Sequence, residues 1–215
     1  MRTIAILFLS CLCACAQSGL RSPAFVSNLA PKASGSSFSY TSVQFDGAND
    51  YLTRGANLTG ISDSKVGTVS FWIKFTGGDG DFVALIYTTD VGQMAINDGT
   101  DTGALSFALN ANIAYSTLTD WSIGALPGGG VKITALVSEF WFDTRYVGDL
   151  TSAPVRAKFN VGGHPVSLGA DGSTPTGFQP LIYLHTAVPS WEANLGSGGG
   201  LTENGTLTDG GGDKP

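Results

Sequence analysis

Between Thr68 and Phe75 the chain reads Thr-Val-Ser-Phe-Trp-Ile-Lys-Phe, so that Val69, Phe71, Ile73 and Phe75 alternate with Thr68, Ser70, Trp72 and Lys74. A strict period of two over eight residues is the pattern of a β-strand with one face on a core. The same pattern recurs in shorter form: Val43 and Phe45 alternate with Ser42 and Gln44, and apolar runs cover Phe82 to Tyr87, Ala104 to Leu109, Trp121 to Gly124 and Leu181 to Leu184. Val131 to Asp143 is long enough to predict an extended, bent strand. Turns separate these runs at Gly77 to Asp81, Asn97 to Gly103 and Pro127 to Gly130. Glycine supplies 30 of 215 residues, about twice its usual share, which favours turns over long helices. The expected class is all-β, an antiparallel β-sandwich. Helix is expected only as single turns: Ser152-Ala-Pro-Val-Arg offers a capping Ser with an early Pro, and Pro189 to Asn194 is a second candidate.

The ends differ in composition from this middle. Met1 to Ala16 has a basic start, an apolar run from Ile4 to Cys15 too short to span a bilayer, and a small-x-small ending at Ala14-Cys15-Ala16, the form of a secretory signal peptide. Leu12-Cys13-Ala14-Cys15 also resembles a bacterial lipobox, and lipidation at Cys15 would attach the protein to a membrane. Cys11, Cys13 and Cys15 are the three cysteines, so cleavage after Ala16 leaves no disulfide or thiolate metal site. Residues 17–40 read as a linker, 41–190 as the sandwich, and 191–215 as a Gly-rich C-terminal tail that is either a wrap over the domain or disordered. Localisation is then secreted, periplasmic or cell-surface, with a virion as the alternative.

A formal net charge of −6 argues against nucleic acid as a partner, because binding to phosphates needs clustered Lys and Arg. Hydrolysis of glycans needs two carboxylates across the scissile bond. Glutamate occurs at Glu139, Glu192 and Glu203. Glu139 and Asp143 share a strand face, but four residues at roughly 3.3 Å each place them about 13 Å apart, beyond the roughly 5 Å or about 6.5–9.5 Å that the two mechanisms use. Ser62-Asp-Ser-Lys65 matches S-x-x-K without its companion motifs and reads as a polar loop. His164 reads as a turn residue and His185 as the exposed end of a strand, neither with a second ligand at metal spacing. No catalytic residue is assigned.

Two binding chemistries remain. Asp46, Asn49 and Asp50 place oxygens in one turn and could hold calcium, although Asp and Asn are also selected there for bonds to their own backbone. A pyranose presents an apolar face that stacks on an exposed aromatic plane; Trp72 and Trp141, on the polar-alternating sides of their strands, are the candidate ligand contacts. No cofactor is required on this reading, and calcium is the one it admits.

Val43-Gln-Phe-Asp-Gly-Ala-Asn-Asp-Tyr-Leu52, Gly67-Thr-Val-Ser-Phe-Trp-Ile73, Trp121-Ser-Ile-Gly124 and Ser138-Glu-Phe-Trp-Phe142, in that order, resemble a laminin-G-like, concanavalin A-like lectin/glucanase jelly roll, closest to a bacterial and bacteriophage branch. The resemblance extends over Pro165 to Leu184 and Asn194 to Gly200. It implies a jelly roll from about Ser42 onward, short of one or two strands because no Trp-His strand occurs between Gly92 and Asp120. The function it implies is non-catalytic recognition of a polysaccharide, surface glycan or other polymer by an exported domain. The alternatives are a structural or assembly protein decorating a virion or cell surface, with the Gly-rich tail on a protein partner, and a glycoside hydrolase.

Overall fold

The computed structural model describes residues 40–76, 81–88, 92–96, 99–101, 112–126 and 128–211, with the backbone alone for 81–101. The expected signal peptide and lipobox, nearly all of the linker, the turn at Gly77 to Gly80 and the strand at Ala104 to Leu109 lie outside these residues. Among the described residues thirteen strands follow in chain order: β1 (Val43–Asp46), β2 (Tyr51–Arg54), β3 (Thr68–Phe75), β4 (Asp81–Thr88), β5 (Gly92–Ile96), β6 (Gly99–Asp101), β7 (Trp121–Ile123), β8 (Thr134–Asp143), β9 (Asn160–Val161), β10 (His164–Pro165), β11 (Ile182–Leu184), β12 (Thr202–Asn204) and β13 (Thr208–Asp209). The larger sheet runs β13-β1-β8-β3-β4-β5-β6, with β11 also on β8; the smaller is β12-β2-β7; and β9 and β10 form a hairpin. Every strand pairing is antiparallel. The fold is therefore an all-β sandwich.

Val43 and Phe45 of β1, Phe71 and Ile73 of β3, and Ile182 and Leu184 of β11 meet Leu52 of β2 and Trp121 of β7 in one core between the sheets, joined by Trp191 from the C-terminal segment. The inward residues of β3 are those its alternation predicts. Its other face is covered as well. Trp141, Val147, Leu150, Phe159, Leu168 and Tyr183 form a second cluster on the outer face of the larger sheet, roofed by the chain from 147 to 168. Within that roof lies α1 (Ala153–Arg156), a single turn with Pro154 at its start as expected, although the Ser152 side chain makes no capping bond. Pro189 to Asn194 forms turns instead of the expected helix; Ser190 and Ala193 donate to Ala187 and Ser190, which swings Trp191 edge-on to Phe45.

The Phe-Asp-Gly-Ala-Asn-Asp turn does not return β2 alongside β1. It carries the chain from the larger sheet into the smaller. The C-terminal segment makes the reverse crossing: β12 pairs with β2 and β13 with β1, so residues 191–211 complete both sheets and are not a separate tail. The two corners are tied by Asp50, 3% exposed, whose Oδ1 accepts the Thr206 N–H at 2.8 Å and whose Oδ2 accepts the Asp46 N–H at 3.2 Å. Gly205 is required between them: its φ is +81°, and a Cβ there would stand 2.3 Å from Asp50 Oδ1. Asp50→Ala leaves these donors without an acceptor at a buried site, and a loss of about 1–3 kcal/mol is expected by thermal or urea denaturation.

Candidate functional site

The run Ala135-Leu-Val-Ser-Glu-Phe-Trp-Phe142 changes parity halfway. Ala135 and Val137 point into the core, and so do Phe140 and Phe142, which a regular strand cannot do without one extra residue. Ser70 stands opposite Trp141 while Trp72 stands opposite Ser138, so Phe71 faces both Glu139 and Phe140 across a β-bulge. Glu139 takes φ +52°, the left-handed conformation that bulges of this kind normally give to glycine. On the opposite edge of β8, β1 pairs only as far as Val137 and β11 begins at Phe140. The bulge therefore lies where β8 exchanges one partner strand for the other.

This backbone sends the Glu139 carboxylate to the outer face, 2% exposed. Tyr183 Oη donates to Oε2 at 3.2 Å, and His185 Nδ1 pairs with Oε1. Tyr183 and His185 are two residues apart and project to the same side of β11; their rings are stacked at 5.5 Å and 4°. The bond to Glu139 holds His185 above its ordinary value of 6.5, against the opposing effect of partial burial. Burial, reinforced by the Glu139 charge, pushes the Tyr183 phenol up. His185 thus carries a carboxylate partner as well as being partly exposed, where the sequence predicts only an exposed strand end.

A second cluster begins one turn further along. Asp143, 1% exposed, accepts the Arg145 N–H at 3.1 Å and Nε–H at 2.9 Å and also pairs with Nη2. Arg145 Nη2 donates in addition to the Gln179 carbonyl. Thus clamped, the guanidinium lies 5.1 Å from the centre of the Phe178 ring. Phe178 is 63% exposed and Tyr146, the residue after Arg145, 59%. The loop presenting Phe178 is braced internally: Thr176 Oγ1 accepts from Phe178 N and donates to its carbonyl, and Gly177 N bonds Ser173 O at 2.7 Å.

The candidate contacts Trp72 and Trp141 do not present planes to solvent. Trp72 is 5% and Trp141 0% exposed, Trp141 because the outer face of the sheet around it is roofed. Trp141 Nε1 donates to Gly172 O at 2.9 Å within the interior, and its ring meets Phe159 edge-on; it holds down the loop that carries Phe178. Glu139 and Asp143 do not form a two-carboxylate cleft either, since each is buried and bonded as described.

Around Asp46, Asn49 and Asp50 the carboxylate oxygens face N–H donors. Asp46 Oδ1 accepts from Ala48 N and Asn49 N at 2.7 and 3.2 Å, which holds its carboxyl below the usual range. Asn49 Nδ2, oriented to donate, reaches Asp46 Oδ2 at 3.3 Å and Asp50 Oδ1 at 3.2 Å. Among the described residues no group of three or more His, Cys, Asp or Glu side chains converges as metal ligands. Because these carboxylate oxygens already accept N–H donors, chelation with EDTA is expected to leave the melting temperature unchanged, and a rise on adding calcium would restore the turn as a calcium site. No helix among the described residues is long and apolar enough to cross a membrane.

Comparison with known proteins yields no matching family model, no similar curated protein and no similar solved structure.

Proposed function

We propose that the chain is a non-catalytic recognition domain of an exported or surface-associated protein, which binds a polysaccharide or another surface polymer through Phe178 and Tyr146 beside Arg145. The observation that carries this reading is Phe178, a large apolar ring left 63% exposed yet held in place by a guanidinium that Asp143 and Gln179 immobilise. An exposed aromatic that is already ordered loses little entropy when a sugar face stacks on it. The clamped arginine leaves donor edges beside the ring for hydroxyl oxygens. A recognition role also agrees with the burial of Glu139 and Asp143, the two carboxylates a glycosidase on this sheet would have drawn on. The C-terminal segment completes the protein's own sheets, which weakens the alternative of an assembly module with that segment on a partner.

Pull-down on a panel of insoluble polysaccharides, or a glycan array, tests the proposal, run with and without calcium. Binding is expected, and Phe178→Ala should reduce affinity about tenfold with the fold intact, the effect of about 1.4 kcal/mol. Absence of binding to every polymer, or binding that Phe178→Ala and Tyr146→Ala both leave untouched, would overturn it.

A further inference from the structure

We infer that Glu139 and His185 form a proton-controlled clasp, which holds β1 and β11 side by side on one edge of β8 while His185 is protonated and loosens that seam when His185 becomes neutral. The place follows from the register. β8 is paired without interruption to β3 apart from the bulge, but its other edge is divided between two strands that do not continue one another, and the division falls at Ser138 and Glu139. No ladder bond of β8 can join β1 to β11 there. Two side-chain links stand at the gap among the described residues: the Glu139 carboxylate reaches His185 and Tyr183 at the end of β11, and Thr41, just before β1, donates its hydroxyl to the His185 carbonyl at 3.3 Å.

The chemistry of the clasp follows from its burial. A carboxylate 2% exposed needs a partner charge or donors to stay ionised inside the protein. Tyr183 supplies one neutral bond; the positive imidazolium supplies the charge. Glu139 from β8 and Tyr183 from β11 face His185, and Asp171 in the overlying loop acts on the same phenol. The His185 side chain is 28% exposed, so protons exchange with solvent without unfolding. Glu139 is moreover held at φ +52°, a conformation that persists only where the surroundings over-determine it. Losing the cation removes one of the constraints that keep it there.

Hydrogen–deuterium exchange of the full chain at about pH 5.5 and about pH 8.5, on either side of ordinary histidine titration, tests the clasp after correction for intrinsic rates. Protection of the peptides covering 40–45 and 182–186 is expected to fall several-fold at the higher pH, while that of 121–123 in β7 stays level. Glu139→Gln and His185→Asn should each abolish the difference, and His164→Asn at the exposed β9–β10 hairpin should retain it. Equal protection of the wild-type seam at both pH values would overturn the inference. So would a pH dependence that survives in His185→Asn, the deciding variant should Glu139→Gln fail to fold.

Discussion

Replacing Trp141 with alanine is expected to lower the unfolding free energy by about 3–5 kcal/mol, the range for removing a large aromatic from a packed interior. The ring is fully buried among Val147, Leu150, Phe159, Leu168 and Tyr183, none of which belongs to a long element able to collapse into the space. The indole N–H also donates to Gly172 O at 2.9 Å, and Gly172 cannot move inward, because even a Cβ there would lie 2.7 Å from the Tyr183 ring. Trp141→Phe keeps most of the packing and loses the N–H bond, so a smaller loss of about 1–2 kcal/mol is expected. Urea denaturation of both variants checks the order. The same pair separates support from contact: if Trp141 braces the Phe178 loop, polymer affinity falls together with stability, whereas loss of binding at unchanged stability would restore Trp141 as a ligand contact.

Much of the sandwich can be read from the residues. Alternation in Thr68 to Phe75 identifies both the strand and its inward face, and Val43 and Phe45 are core residues as their spacing predicts. Alternation reports which residues share a face; it is silent on whether the polar face is later roofed by distant chain. That is why Trp141 reads as exposed and is buried; Trp72 is buried as well. The C-terminal strands were hidden for a different reason. Glycine enrichment after Leu195 masks β12 and β13, three and two residues long, whose stability comes from the distant strands β2 and β1. The Glu139 bulge left a weaker mark: the apolar triplets 135–137 and 140–142 occupy odd and even positions alike, and only the polar pair Ser138-Glu139 interrupts them. The slip in parity shows in which of these residues face the core, and it requires an extra residue. The Phe178 platform left none, since a Phe in a Gly, Thr and Pro loop carries no periodicity.

Glycine at position 139 should be better tolerated than alanine, by about 1 kcal/mol, although in an ordinary strand the order is the reverse. Both substitutions remove the carboxylate and leave the Tyr183 hydroxyl and His185 Nδ1 without their acceptor, for a common loss of about 2–4 kcal/mol. They differ in the backbone. A Cβ at φ +52° is opposed by the carbonyl that follows it, at about 1–2 kcal/mol; alanine keeps that opposition and glycine removes it, less the part offset by the greater freedom of glycine in the unfolded chain. The loss also depends on pH with a definite sign. His185 titrates above 6.5 in the folded protein because of its bond to Glu139, so its contribution is complete below that value and disappears as pH rises through the folded-state pKa. The deficit of Glu139→Ala relative to wild type is therefore largest in mildly acidic solution and shrinks in alkaline solution, while the gap between Ala and Gly, being conformational, stays constant. Denaturation of the three proteins across this pH range separates the two effects, and an alanine variant as stable as the glycine variant would show that position 139 does not need the left-handed backbone.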